Sequence, residues 1–288
     1  MKAIRVGGVP EHFNYPWHYG IANNIFDSYG LRIDWSDIKG GSGEMCRKLD
    51  EDELDVALVL TEGIVKHIHS GSDARIIQQY VKSPLVWGVH AAIGRELAPN
   101  DLSELRFARS RFGSGSHLMA YVHAEQNGYK LTEDNFVTVG NIDGAMDAFS
   151  KNQADILLWE KFMTQPYVDQ GKVDRIDLCI SPWPCFVMVG SGKFLLENPN
   201  LVDPLSQAII KSSDQVTLLE DTIVKIAKMY KLDQEQVESW YSSVEWQTSQ
   251  WVSDKMLKNV TNTLHRIGLL QNGVLTSKEL CSTSTKIY

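Results

Sequence analysis

The stretch Arg109-Ser-Arg-Phe-Gly-Ser-Gly-Ser-His117 brings together side chains and backbone able to hold a ligand. Leu105 to Ala108 reads as a buried strand, Gly113 and Gly115 interrupt the chain, and Leu118 to Gln126 has the apolar spacing of a helix. A strand running through small residues into a helix leaves backbone N–H groups without intrahelical partners, where the helix dipole adds partial positive charge. That geometry favours an anion. Ser114 and Ser116 add hydroxyls, one of them at the N-cap, and Arg109 and Arg111 add charge. The same residues also suit a plain capped junction with two surface arginines, and local pattern does not separate the two readings.

Acid–base chemistry has four candidates at strand ends: His12, Glu62, His117 and Glu160. No two of them have the spacing of a triad, so no residue is assigned a catalytic role. No metal site is expected. His67 and His69 would lie on different sides of a helix, and His117 and His123 lack ligand spacing. Cys46, Cys179, Cys185 and Cys281 form neither a zinc ribbon nor a Cys-x-x-Cys motif and read as buried or partly buried free thiols. No cofactor is implied.

The elements that must position these residues alternate. Ile4 to Val9, Leu31 to Ile38 and Leu54 to Leu60 read as strands. Helices are expected at Trp17 to Tyr29, Glu44 to Asp50 and Thr61 to Ser70, with further strands at Ala74 to Val81 and Val86 to Ala91. A second series starts at Leu105 and takes in the helix after Gly115, then a strand at Phe136 to Val139 and a helix at Asp143 to Asn152. It closes with a strand at Asp155 to Trp159, a helix at Glu160 to Gln170, and strands at Val173 to Leu178 and Phe186 to Val189 on either side of Ser181-Pro-Trp-Pro184. From Lys193 the chain is helical, at Asp203 to Glu220, Thr222 to Lys231, Asp233 to Ser242 and Val252 to Leu270. The Ser/Thr-rich tail from Thr276 to Tyr288 is expected to be partly disordered. The two series echo each other, Leu54-Asp-Val-Ala-Leu58 matching Ala154-Asp-Ile-Leu-Leu158, so the chain reads as an α/β protein of two similar lobes with doubly wound sheets. In such sheets ligands sit at the carboxyl ends of the strands.

With 288 residues, 43% hydrophobic and 22% charged, the composition is that of an ordinary globular protein. A net charge of −8 with no basic block argues against nucleic acid, and no apolar run reaches the ~20 residues a membrane helix needs. No secretory leader follows Met1, so a cytoplasmic location is expected.

Gly40-Gly-Ser-Gly-Glu-Met45, Leu49, Leu54-Asp-Val-Ala57, Thr61-Glu-Gly63 and Phe112-Gly-Ser-Gly-Ser-His117 together resemble type II periplasmic-binding proteins. Within these the chain is similar to the NMT1/THI5-like group of sulfonate and thiamine-precursor binders, in an intracellular, leaderless form. The resemblance spans about residues 3 to 270 and implies a two-lobed fold with an interlobe ligand cleft and a helical C-terminal third. It implies a first segment of lobe 1 at residues 1–91, lobe 2 at 92–187 and a return to lobe 1 at 188–288, with hinges near Val86 to His90 and Cys185 to Val189. The cysteine-rich motif of the thiamine-pyrimidine synthases is absent, Pro184-Cys-Phe186 being a remnant at best, so their iron-dependent chemistry is not carried over.

On that fold the expected ligand contacts are His12, Phe13, Asn14, Ser42, Thr61 and Glu62 from the first lobe. Trp87 falls near a crossing between the lobes, and the second lobe adds Ser114, Gly115, Ser116, His117, Asn141, Trp159 and Glu160. Aromatic faces beside hydroxyl and backbone donors suit a small anionic or planar metabolite. The expected function is a binding protein closing two lobes on such a ligand, similar to the substrate-binding proteins of ABC transporters. The alternative is a cytosolic enzyme on the same scaffold, a lyase, a dehydratase or one of thiamine-precursor type. Oligomeric state is left open.

Overall fold

The chain opens with a short strand, β1 (Ile4–Gly8), that is buried at every position but Arg5. The computed structural model describes residues 3–94, 102–270 and 273–288. β1 lies between β2 (Ile33–Asp37) and β3 (Val56–Leu60), all parallel, with Ile4 opposite Ile33 and Val6 opposite Val56. β3 is buried at every position, as a parallel strand covered on both faces must be. α1 (Tyr15–Ala22), α2 (Gly41–Asp50) and α3 (Thr61–His69) connect these strands. α1 stops well short of the expected end at Tyr29. Asn24 takes a left-handed φ of 55° and the Asn23 side-chain amide donates to the Tyr19 carbonyl, which together end the helix.

β4 (Arg75–Ala92) is one strand of eighteen residues, where two were expected. Lys82-Ser-Pro84 reads as a break because proline has no N–H to give a ladder, but the backbone stays extended with Pro84 exposed. β8 (Val173–Gly190) corrects the sequence reading in the same way, running unbroken through Pro182 and Pro184. The chain forms two compact units, residues 1–83 with 183–288 and residues 84–182. The divisions fall at Ser83/Pro84 and Pro182/Trp183, where the sequence reading puts breaks after residues 91 and 187.

In the second unit the strand order is β4, β7 (Ile156–Glu160), β5 (Phe107–Arg109), β6 (Phe136–Thr138). β5 is parallel to both β6 and β7, and β4 is antiparallel to β7 with Trp87 opposite Glu160. α4 (Gly115–Asn127), α5 (Ile142–Ser150) and α6 (Lys161–Asp169) follow β5, β6 and β7 in turn. Ala108, Ala145, Ala148, Phe149, Leu157 and Val173 form a core beneath α5.

The chain then returns to the first unit, where β8 is antiparallel to β3, Phe186 facing Leu60. Helices α7 (Gly192–Glu197), α8 (Pro199–Leu218), α9 (Thr222–Tyr230) and α10 (Gln234–Tyr241) follow. After them come β9 (Trp251–Val252), α11 (Asp254–Arg266), α12 (Ser277–Leu280) and β10 (Lys286–Ile287). The tail expected to be partly disordered is tied down. Thr276 and Glu279 make a capping box, Ser277 donates to Asp254, and the Thr285 hydroxyl reaches the Ile76 and Ile77 carbonyls. Leu280 is fully buried and β10 pairs with β9. Hydroxyls that read as solvating composition serve here as caps and tethers.

The internal repeat has a physical cause. Asp55 accepts from the Arg5 backbone N–H (2.8 Å) and guanidinium (2.6 and 3.1 Å). Asp155 accepts the same set from Arg106, at 2.8 Å from the N–H and 2.8 and 3.0 Å from the guanidinium. Each aspartate therefore clamps the strand following a turn to the strand beside it.

Candidate functional site

The expected contacts of the first unit stand at the carboxyl ends of β1, β2 and β3. His12, Phe13 and Asn14 follow β1 and are all buried. Asn14 donates to the Val9 carbonyl at 2.8 Å, while the Phe13 carbonyl accepts from Tyr80 Oη (2.7 Å) and Trp246 Nε1 (3.0 Å). The His12 ring stacks on Phe13 at 4.7 Å and meets Trp240 edge-on at 4.1 Å. Burial holds its pKa down to about 3, so it is neutral. Tyr230, Trp240 and Trp246, which complete this aromatic nest, come from the C-terminal helices and the loop after them. The sequence reading missed them, although the cluster of aromatic residues between 230 and 246 was the available signal.

Ser42 does not cap α2, which starts at Gly41; its Oγ accepts from Leu60 N at 2.9 Å and so joins α2 to the end of β3. Thr61 gives its hydroxyl to the Pro184 carbonyl at 2.6 Å. Glu62 is 1% exposed, and its Oε2 accepts from Trp183 Nε1 at 2.8 Å. Burial pushes this carboxyl up to about 7, against the opposing pull of its own backbone N–H and the Trp183 indole.

In the second unit the candidates share the carboxyl edge of β5, β6 and β7. Gly113 has φ of 72°, a left-handed conformation that turns the chain into α4. Ser114 occupies the N-cap position, yet its hydroxyl does not cap the helix: it donates to the Arg111 carbonyl at 2.8 Å and lies 3.1 Å from Ser116 Oγ. Ser116 Oγ accepts from Ser110 N at 3.1 Å. The serines thus shape the turn from inside, both 3% exposed, and leave the first N–H groups of α4 without a side-chain acceptor among the described residues.

His117 is fully buried. Its Nδ1 accepts from Gly113 N at 2.9 Å, and its Nε2 lies 3.0 Å from Glu133 Oε1 and 2.9 Å from Arg109 Nη1. Arg109 is engaged as well, 2.6 Å from Glu133 Oε2 and over the Phe112 and Phe136 rings. Asn141 caps α5, accepting from Gly144 N at 2.9 Å; a Cβ on Gly144 would lie 1.9 Å from the Val139 carbonyl oxygen. Glu160 caps α6 by accepting from Met163 N at 2.7 Å. Trp159 is half-buried against the core beneath α5, and the buried Trp87 indole has no hydrogen-bond acceptor among the described residues. Of the four acid–base candidates, His12 and His117 are enclosed, His12 held neutral by burial, and Glu160 is a cap. Burial raises the Glu62 carboxyl to about 7.

The four cysteines are buried free thiols, and the described residues contain no group of three or more metal-ligating side chains. No helix among them is long and apolar enough to cross a membrane.

The comparisons agree on the fold. The model of a family described as Ca3427-like PBP matches residues 87–179. No curated protein matches. Among solved structures the chain is similar to the Candida albicans CA3427 gene product, described as exhibiting the generic periplasmic binding protein fold. Identity is 24%, coverage is 100% of this chain and 98% of that one, and the TM-score is 0.91. The alkanesulfonate-binding protein SsuA from Xanthomonas axonopodis pv. citri, bound to MOPS, is 14% identical over 99% of this chain and 98% of that one, with a TM-score of 0.78. PhnD1 from Prochlorococcus marinus, in complex with methylphosphonate, is 11% identical over 93% and 99%, with a TM-score of 0.60. The chain has the periplasmic-binding-protein fold.

Proposed function

We propose that the chain is a binding protein for a small metabolite carrying an oxyanion, seated on the first turn of α4, and that the ligand draws the two units together. The observation that carries this reading is the start of α4. Its N-cap serine is turned inward, so the N–H groups of Gly115 and Ser116 have neither an intrahelical nor a side-chain acceptor among the described residues. An oxyanion would accept them as charge-assisted hydrogen bonds, aided by the dipole of a thirteen-residue helix. Phe112, 60% exposed, offers an apolar face beside that point. Proteins of the same fold hold MOPS, a sulfonate, and methylphosphonate, which supports an oxyanion of this class.

Titration calorimetry with MOPS and methylphosphonate tests the reading. Ser114→Ala with Ser116→Ala removes the hydroxyls that hold the turn open, and binding is expected to weaken at least about tenfold. Equal affinity in the double variant would reduce the turn to an ordinary helix start. A lyase or dehydratase on this scaffold would use Glu62 as its proton donor. Recovery of the co-purifying ligand unchanged after incubation with the protein separates binding from turnover.

A further inference from the structure

α3 opens directly from β3 with Leu60, whose side chain offers no cap, at its N-cap position. Thr61, the first helical residue, is fully buried and gives its hydroxyl to Pro184, so it cannot fold back as a cap. Glu62 is next. One of its carboxyl oxygens takes the Trp183 indole N–H, and the other, Oε1, is buried with no hydrogen-bond partner among the described residues. A buried polar atom left unmatched in the first turn of a nine-residue helix calls for an explanation, and a ligand supplies one. The indole N–H only donates, so Oε2 is an acceptor and any proton on this carboxyl stands on Oε1.

We propose that Glu62 Oε1, in the first turn of α3, marks a ligand-binding site on the first unit that recognises a hydrogen-bond acceptor, such as an oxyanion oxygen, a carbonyl or a ring nitrogen. The inference rests on the chain being a small-molecule binder and adds a second point of recognition to it. Glu62 acts there as a neutral acid, its O–H presenting a donor. A ligand group that must itself donate is rejected.

Among the described residues, burial rather than a charged neighbour leads the shift of this carboxyl. On α2, Arg47 pairs with Glu51 and Lys48 with Glu53; on α3, His67 pairs with Asp50; on α11, Lys258 pairs with Asp254. Burial sets its proton affinity, with the pKa near 7. An oxyanion arriving beside it favours the protonated form further, so binding above neutrality draws a proton from solution.

The test is calorimetry of methanesulfonate and ethanesulfonate, whose charge is fixed throughout this range, against the full chain at pH 8 and at pH 5.5, in two buffers of unlike ionisation enthalpy. Wild type is expected to take up close to one proton per ligand at pH 8 and almost none at pH 5.5. Glu62→Gln keeps a donor at the Oε1 position; it should bind within about threefold of wild type and take up no proton. Glu62→Ala should lose at least about tenfold in affinity. The absence of proton uptake by wild type, or wild-type affinity in Glu62→Ala, overturns the proposal. Should Glu62→Ala fail to fold by circular dichroism, the proton count in wild type and Glu62→Gln decides alone. If the Ser114/Ser116 double variant loses affinity while both Glu62 variants bind as wild type does, only the Glu62 site falls. If neither probe binds wild type, both readings fall.

Discussion

Replacing Glu62 by Gln should change how the protein's stability depends on pH, and the size of the change follows from burial. The carboxyl is 1% exposed and its pKa rises from the ordinary 4.5 to about 7. Between those two values the folded chain holds a proton that the unfolded chain has released. Stability therefore falls as pH rises through this window: the contribution is fully present below 4.5 and lost above 7. At about 1.4 kcal/mol per pH unit the loss amounts to about 3 kcal/mol. Gln keeps a carbonyl oxygen for the Trp183 indole and carries no ionisable group, so the variant should lack this part of the profile. Urea unfolding at intervals from pH 5 to 8.5 measures it, with Glu11→Gln as a parallel control because burial also pushes Glu11 up to about 7. Glu62→Gln should gain about 3 kcal/mol on wild type at pH 8.5 relative to pH 5. Superimposable profiles would show that the buried carboxyl ionises without cost, and the argument from burial would fail.

Three other outcomes are expected. Asp155→Ala removes the acceptor of three Arg106 hydrogen bonds and should cost about 3 kcal/mol, seen as faster amide exchange within residues 102–182 and little change elsewhere. Thr276→Ala opens the capping box of α12 and should cost about 1 kcal/mol, read from the melting temperature. A bound oxyanion should lower the radius of gyration in small-angle scattering; identical profiles with and without saturating ligand would refute closure.

Much of the fold was legible because burial leaves its mark in composition. β3 and β7 are apolar runs opened by an aspartate, and that repeated Asp proved to be the clamp that defines the repeat. What misled was proline. Pro84, Pro182 and Pro184 each signal a break from local chemistry, yet neighbouring residues keep the backbone extended through them. The tail misled in the opposite sense, since serine and threonine look alike whether they face water or tether a strand. At the strand ends, residue types did not give the direction of each hydroxyl. Ser42, Thr61 and Ser114 all bond to the chain's own backbone. The aromatic nest around His12 joins residues from opposite ends of the sequence, which no local pattern encodes.

Amide-resolved NMR of the full chain, titrated with MOPS and then with methylphosphonate, tests the central claim most directly. An oxyanion on the first turn of α4 accepts hydrogen bonds from Gly115 and Ser116, so these two amide signals should move downfield in proportion to occupancy, ahead of those later in the helix. Binding that leaves the Gly115 and Ser116 amides unmoved while other signals shift would place the ligand elsewhere and contradict the account.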